Sequence, residues 1–402
     1  MRFGRPVLGI LFALFAGAGV FLNLPLGGGD DSAIARASTA KPAIMVAGVA
    51  VKDRVLARGL NYLLTVQQPN GAWLDQVGPA TTALVVKAFV QAGIPVSSPA
   101  IARALHFIES THQPDGGFYV HNMLQNYNTS IVLSTLAMLP GKEWKKQIRQ
   151  AQHYLISLQR VAPMKDASGQ PITPGNSWYG GVGYGAGRPD LSNTTFFISA
   201  LHDSGVPASN PAIQRALVFV TRCQENSETN SQPFAKGLSN GGFIYTAANG
   251  GESQAGDRDN LKGGSTLAAY GTMTYAGLKS MVYAGLTKTD PRVKAALKWI
   301  RANWTLSFNP GTGHSKMGLF YYYLMFARSL AALGTPEITD ANGIQHNWRR
   351  EIHQKLAALQ RKNGSWKNIW SKRWLEFNPV LVTSYSCLVL DAADGNSPTG
   401  AN

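Results

Sequence analysis

Apolar residues between positions 50 and 393 recur at spacings of three and four, as Leu56, Leu60, Leu63 and Leu64 do early in the chain and Leu278, Met281, Val282 and Tyr283 later. That spacing predicts helices, and no run alternates with period two for long enough to argue a sheet. Two kinds of helix take turns. The first carries Lys and Arg on one face (Lys145, Lys146 and Arg149; Lys294, Lys298 and Arg301), whereas the second is nearly uncharged. A half-polar helix belongs at a surface and an all-apolar one inside, so the alternation predicts an inner and an outer ring. Ala-Gly at 92–93 and 284–285 and Ser-Gly at 204–205 supply helix stops.

The pattern is also an internal repeat. Thr82 to Gly93 aligns with Thr274 to Gly285 without a gap, with Thr, Lys and the closing Ala-Gly coinciding. Further copies begin near Thr129, Thr194, Tyr323 and Thr383. The polar-faced segments lie at about 54–66, 100–111, 147–159, 212–224, 291–304 and 349–360, which makes six units. With 45% hydrophobic and 15% charged residues over 402 positions, the chain can bury one large core. The expected layout is an export signal or anchor at 1–37, a linker at 38–50, one closed all-α domain at 51–393 and a flexible tail at 394–402.

The turns between units carry a signature: QQPNGAW at 67–73, HQPDGGF at 112–118 and LQRKNGSW at 359–366. A helix ending in Gln, a short turn, Gly-x-Trp or Gly-x-Phe and then an apolar helix resembles the prenyltransferase and squalene-cyclase repeat. The likeness covers nearly all of 50–393. Gln67 to Trp73 and Gln360 to Trp366 are sharp copies and Gln113 to Phe118 a close one. The third and fourth units reach Trp178 and Phe243 only after insertions, and the fifth lacks the Gln. The resemblance implies an α/α toroid of about six helix pairs, in which the Gln and the aromatic residue tie each outer helix end to the next turn. Trp73 and Trp366 are then struts.

The family's chemistry does not follow from its fold. Class II terpene cyclases protonate an alkene or epoxide with an Asp of a D-x-D-D segment placed just before an inner helix, and such an acid needs a dry pocket and a neighbouring carboxylate. Here the segment reads Asp190-Leu191-Ser192-Asn193-Thr194, which keeps only the first Asp. Asp257-Arg258-Asp259-Asn260 keeps two, but lies upstream of its helix, and Arg258 favours the carboxylate anions. Asp190, Asp257 and Asp259 are the acid candidates, and squalene cyclisation is not expected. The related prenyltransferases bind zinc through Asp, Cys and His, a set that the eight His and two Cys do not reproduce. The expectation is no metal and no cofactor.

Lys87, Lys279 and Arg328 share one repeat position in otherwise apolar helices. Should that position face the axis, three cations converge there and call for an anionic head group; the alternative is that their long side chains reach the ring's edge. Aromatic residues crowd the fourth and fifth inner helices (Tyr270, Tyr275, Tyr283, Tyr321, Tyr322) and the Trp178 to Tyr184 turn. They suit an apolar or carbohydrate ligand and equally a packed core. Trp178, Tyr184, Tyr275, Tyr283 and Tyr322 join the three cations as candidate ligand contacts.

At the N-terminus, Arg2 and Arg5 precede an uncharged run from Pro6 to Gly29, followed by Ala33-Ile-Ala35 and Ala35-Arg-Ala37. This reads as an export signal, with an uncleaved membrane anchor as the alternative, and places the protein in the periplasm or outside the cell. Without residues 1–37 the chain keeps 34 Lys and Arg against 20 Asp and Glu, a net +14. Export argues against nucleic acid and leaves anionic lipid, acidic polysaccharide or a solvated basic surface. Cys223 and Cys387 allow at most one bridge, and buried free thiols are expected. The leading functional expectation is a toroid that binds or processes an isoprenoid-type or other elongated apolar or amphiphilic ligand. The alternatives are a class II terpene cyclase using Asp257 and Asp259, an acidic-polysaccharide lyase or binder, and a scaffold.

Overall fold

The computed structural model describes residues 42–259 and 265–395. The export segment and residues 396–402 of the expected tail lie outside the described residues. Among the described ones, helices come in six pairs: α1 (Arg54–Thr65) with α2 (Ala80–Gln91), α3 (Pro99–Ser110) with α4 (Gln125–Leu136), α5 (Lys145–Ser157) with α6 (Leu191–Asp203), α7 (Pro211–Arg222) with α8 (Gly271–Tyr283), α9 (Pro291–Ala302) with α10 (Leu319–Leu333), and α11 (Trp348–Leu359) with α12 (Pro379–Asp394). Each falls within a few residues of its expected place.

Even-numbered helices form the inner ring. α2 packs on α4, α4 on α6, α6 on α8, α8 on α10, α10 on α12, and α12 returns to α2. Outer helices fill the external grooves, with α1 against α12 and α2, α5 against α4 and α6, α7 against α6 and α8, and α11 against α10 and α12. An inner helix is therefore enclosed on every side, and α8 buries each residue from Gly271 to Met281. Outer helices bury only a stripe, such as Val293, Ala296, Leu297, Trp299 and Ile300 in α9. Proline at the first turn of α3, α7 and α9 removes a backbone donor that has no acceptor there anyway.

The repeat is held by a recurring lock. The inner-helix threonine hydroxyl accepts the backbone N–H of the turn residue that precedes it: Thr82 from Trp73, Thr129 from Phe118, Thr194 from Val182, Thr274 from Phe243 and Thr383 from Trp366. The glutamine side chain donates to its own turn glycine and to the first turn of the next outer helix. Gln67 thus bridges Gly71 and Ala100, Gln159 bridges Gly180 and Ala212, and Gln224 bridges Gly241 and Arg292. Gln360 bridges Gly364 and Val55, which joins the last unit to the first and closes the ring. Trp73 and Trp366 are fully buried, and their indole N–H groups donate to Leu63 and Leu356 at 2.8 Å. Both are struts.

In the third unit the strut position belongs to Val182, not Trp178. Gly180 packs its Cα against the Arg215 carbonyl as Gly71 does against that of Arg103, and Val182 follows two residues later. Trp178 sits with Ile172 and Ala248 in a satellite cluster, its indole donating to Asn249.

Among the described residues the strands form three two-stranded hairpins, β1 (Ile44–Val46) with β2 (Val49–Val51), β3 (Asp257–Asp259) with β4 (Ser265–Leu267), and β5 (Ile338–Thr339) with β6 (Gln345–His346), besides a few isolated β-bridges in the turns. The first replaces part of the expected linker and packs on α1. Cys223 and Cys387 are buried free thiols. Among the described residues no helix is long and apolar enough to cross a membrane.

Candidate functional site

Because the inner helices share one register, equivalent residues meet in layers around the axis. Two residues before the locking threonine position, Tyr127, Ser192, Thr272, Tyr321 and Leu381 line a cavity of about 170 Å³, together with Tyr184, Tyr245, Tyr270, Met273, Trp374 and Tyr385. We call it the upper chamber. Two residues after the threonine position, Leu84, Ile131, Phe196 and Met325 form a floor, with Phe196 exposed to both sides of it. Phe196 is held edge-on by Tyr127 at 5.0 Å and stacks on Tyr321 at 6.1 Å.

Below the floor lies a smaller chamber of about 50 Å³. Five residues after the threonine position, each of the six units contributes one side chain to its wall: Lys87, Ser134, Ser199, Lys279, Arg328 and Leu388. The three expected cations therefore converge, and Lys87 and Lys279 are only 5% and 3% exposed, so neither reaches the ring's edge. The counter-ion of Lys87 and Arg328 is Asp203, the last residue of α6, which lies outside the repeat position. Asp203 sits 3.2 Å from Lys87 and 4.0 Å from Arg328, and Ser134 accepts from Lys87 at 2.5 Å while donating to Asp203. His202 adds a contact at 3.4 Å.

The electrostatics follow from burial and from the excess of cations. Burial alone would raise the Asp203 carboxyl, but Lys87, His202 and Arg328 outweigh it and hold it well below the usual carboxylate range. Burial lowers the Lys87 ammonium to about 8, with Asp203 opposing and Arg328 assisting. Lys279 falls further, to about 7, through burial and then Arg328, against the pull of Asp203. Its ammonium lies 5.5 Å from the Tyr283 ring centre, and Tyr283 in turn stacks on His202 at 3.8 Å.

The aromatic candidates divide. Tyr184, Tyr270 and Tyr321 face the upper chamber and Tyr283 walls Lys279. Tyr275 and Tyr322 are core residues: Tyr275 packs on Tyr322 and Phe326, and the Tyr322 hydroxyl donates to the Thr305 carbonyl at 2.6 Å. One residue along a helix is a rotation of about 100°, which turns Tyr322 away from the axis that Tyr321 faces.

At the place of the family's acid segment, Ser192 enters the upper chamber and shares a 2.8 Å hydrogen bond with Tyr321. Asp190 lies behind it as the cap of α6, its carboxylate accepting the backbone and side-chain N–H of Asn193. Burial, opposed by those bonds, raises Asp190 to about 6. Asp257 and Asp259 belong to the β3–β4 hairpin; their side chains lie outside the described ones.

The upper chamber opens beside the turn between α11 and α12. Trp374 and Leu375 line it while partly exposed, and Ile369, Trp370 and Phe377 are exposed nearby. Leu124, Trp374 and Leu375 hold left-handed φ of 49°, 53° and 60° at this mouth. For side-chain-bearing residues that costs on the order of 1–3 kcal/mol each, strain of the kind that collects where a site must keep its shape.

Residues 74–243 match the family model of the squalene-hopene cyclase C-terminal domain. No curated protein matches. Among solved structures, a protein from Actinoplanes is 16% identical with a TM-score of 0.48, over 85% of this chain and 98% of its own. The type II terpene cyclase MstE from Scytonema in its apo form is 14% identical with a TM-score of 0.48, over 85% and 97%. A glycosidase variant is 12% identical with a TM-score of 0.44, over 86% and 97%. At such values none of the three bears on chemistry. The chain is an α/α toroid that carries, over residues 74–243, squalene-cyclase-like repeat sequence.

Proposed function

We propose that this toroid binds an amphiphilic small molecule along its axis, with an apolar, isoprenoid-type portion in the upper chamber and an anionic head in the lower one. The observation that carries the reading is the stacking of an aromatic cavity directly on a cationic one, with Phe196 as their shared wall. Apolar cavities of about 150 Å³ stay dry and accept a benzene-sized guest, so the upper chamber's 170 Å³ suits a ring or a short branched chain. The remainder of an elongated ligand would pass the mouth at Tyr184, Trp374 and Leu375. In the lower chamber Lys87 and Arg328 against Asp203 leave a surplus cation even when Lys279 is neutral, a charge that a ligand anion would compensate. The reading includes no cyclase step, because Ser192 lacks the acidity to protonate an alkene.

Calorimetric titration with a prenyl diphosphate tests it, comparing the native chain with Ser192→Trp, which fills the upper chamber. Binding by the native chain and loss of it in Ser192→Trp, with an unchanged circular dichroism spectrum, is expected. Equal binding by both would place the ligand elsewhere.

A further inference from the structure

Lys279 differs from the other two cations of the lower chamber. Lys87 and Arg328 both address Asp203, but among the described residues no carboxylate comes within ion-pair distance of Lys279, whose ammonium meets only the face of Tyr283. It lines a small cavity and is almost wholly buried. The groups facing it are Lys87 on α2, Ser134 on α4, Asp203 on α6, Tyr283 on α8 itself with His202 stacked behind it, Arg328 on α10 and Leu388 on α12; one turn further on α12, Asp391 feels the Arg328 charge. An amine desolvated beside other cations gives up its proton readily and becomes a nucleophile. Burial followed by Arg328 brings Lys279 to about 7, so near neutral pH a large fraction of molecules carries a free amine.

We propose that Lys279 condenses with a small oxo acid, a carbonyl compound that also bears a carboxylate. The surplus positive charge and the Arg328 guanidinium recognise the carboxylate, while the lone pair of Lys279 Nζ attacks the carbonyl carbon. As the carbon–nitrogen bond forms, the carbonyl π electrons move to oxygen, which takes a proton from water. Nitrogen returns one proton to water, giving the carbinolamine. Its lone pair then expels the hydroxyl, which takes a proton from solvent and leaves as water, and the nitrogen gives its remaining N–H proton back to solvent, leaving the imine. One water is released, and nothing is oxidised or reduced. Solvent reaches the reaction from the rim, where the side chains of Arg328, Asp203 and His202 are 15%, 17% and 31% exposed. The step needs nothing in the upper chamber, so failure of amphiphile binding would leave it standing.

Reductive trapping tests the inference. The full chain is incubated with glyoxylate and cyanoborohydride between pH 6 and 9, and adducts are located by peptide mapping. The expected result is one adduct per chain, on Lys279, abolishing tryptic cleavage after that residue, with a rate that climbs through pH 7. Lys279→Met should give no such adduct, and Arg328→Met should react about tenfold more slowly, as loss of a charge-assisted contact implies. Acetaldehyde, which lacks the carboxylate, should also react slowly. Should Lys279→Met fail to fold, the native chain still decides: adducts forming on exposed Lys146 as fast as on Lys279 would overturn the inference. Equal rates for acetaldehyde and glyoxylate would overturn the oxo-acid assignment.

Discussion

Replacing Trp366 with alanine deletes a fully buried indole at the seam where the last unit meets the first. The ring lies against Gly59 of α1, where a Cβ would stand 2.7 Å from its edge and 2.9 Å from the Cys387 sulfur. The cavity left behind is therefore shared by α1, α11 and α12, and the three helices cannot all close on it. The Leu356 carbonyl also loses its donor. Truncating a buried Trp costs about 3–5 kcal/mol. With a urea m-value of roughly 3 kcal/mol/M, the unfolding midpoint should fall by about 1–1.7 M. Trp370, four residues further along the same connection, is the control: it is 47% exposed, and the Lys316 ammonium lies 3.7 Å from its ring centre. Loss of an exposed cation–π contact is worth about 0.5–1 kcal/mol, a midpoint change of about 0.3 M at most. Equal shifts for Trp366→Ala and Trp370→Ala would refute the strut and with it the ring closure at this seam.

Gly180→Ala should destabilise by more than about 1 kcal/mol, because at φ +80° the added Cβ would stand 1.9 Å from the Arg215 carbonyl; a denaturation midpoint matching the native chain's would contradict that packing. Lys279→Met should raise stability most at acid pH. Lys279 is held below its unfolded value of 10.5, at about 7, so below pH 7 the native chain carries the full cost of a buried charge, and between about 7 and 10.5 rising pH relieves it. The melting-temperature difference between mutant and native chain should thus shrink over that window, and a flat difference would contradict the burial of the charge. Incubation with squalene should yield no polycyclic product, since Ser192 occupies the acid's place; product formation abolished by Asp259→Asn would overturn this and make the β3–β4 hairpin the site.

The helices and their inner and outer assignment were legible because apolar spacing and charge placement reflect burial directly. Lys87, Lys279 and Arg328 could be matched because the repeat fixes their register, and one register in a closed ring means one layer. What lay outside the register stayed hidden. Asp203 ends α6 with no carboxylate at the matching position of the other units, so only the closing of the ring brings it to Lys87. Tyr322 could not be told from Tyr321, because a helix buried on all sides has no polar face to fix its rotation. Trp178 was misplaced by a long insertion, although Gly-x-Val at 180–182 matches Gly-x-Trp at 71–73 and could have given the register.

The central claim, that the axis holds an apolar body above and an anion below, is tested most directly by one calorimetric comparison. At pH 6, where Lys279 keeps its proton, a prenyl diphosphate is titrated into the native chain, Lys279→Met and outer-face Lys146→Met, with the uncharged prenyl alcohol as second ligand. The account predicts a loss of roughly 1.5–3 kcal/mol for the diphosphate in Lys279→Met alone, and no difference among the three proteins for the alcohol. Equal, small losses for both variants with the diphosphate would contradict it and leave the basic charge as a solvated exterior.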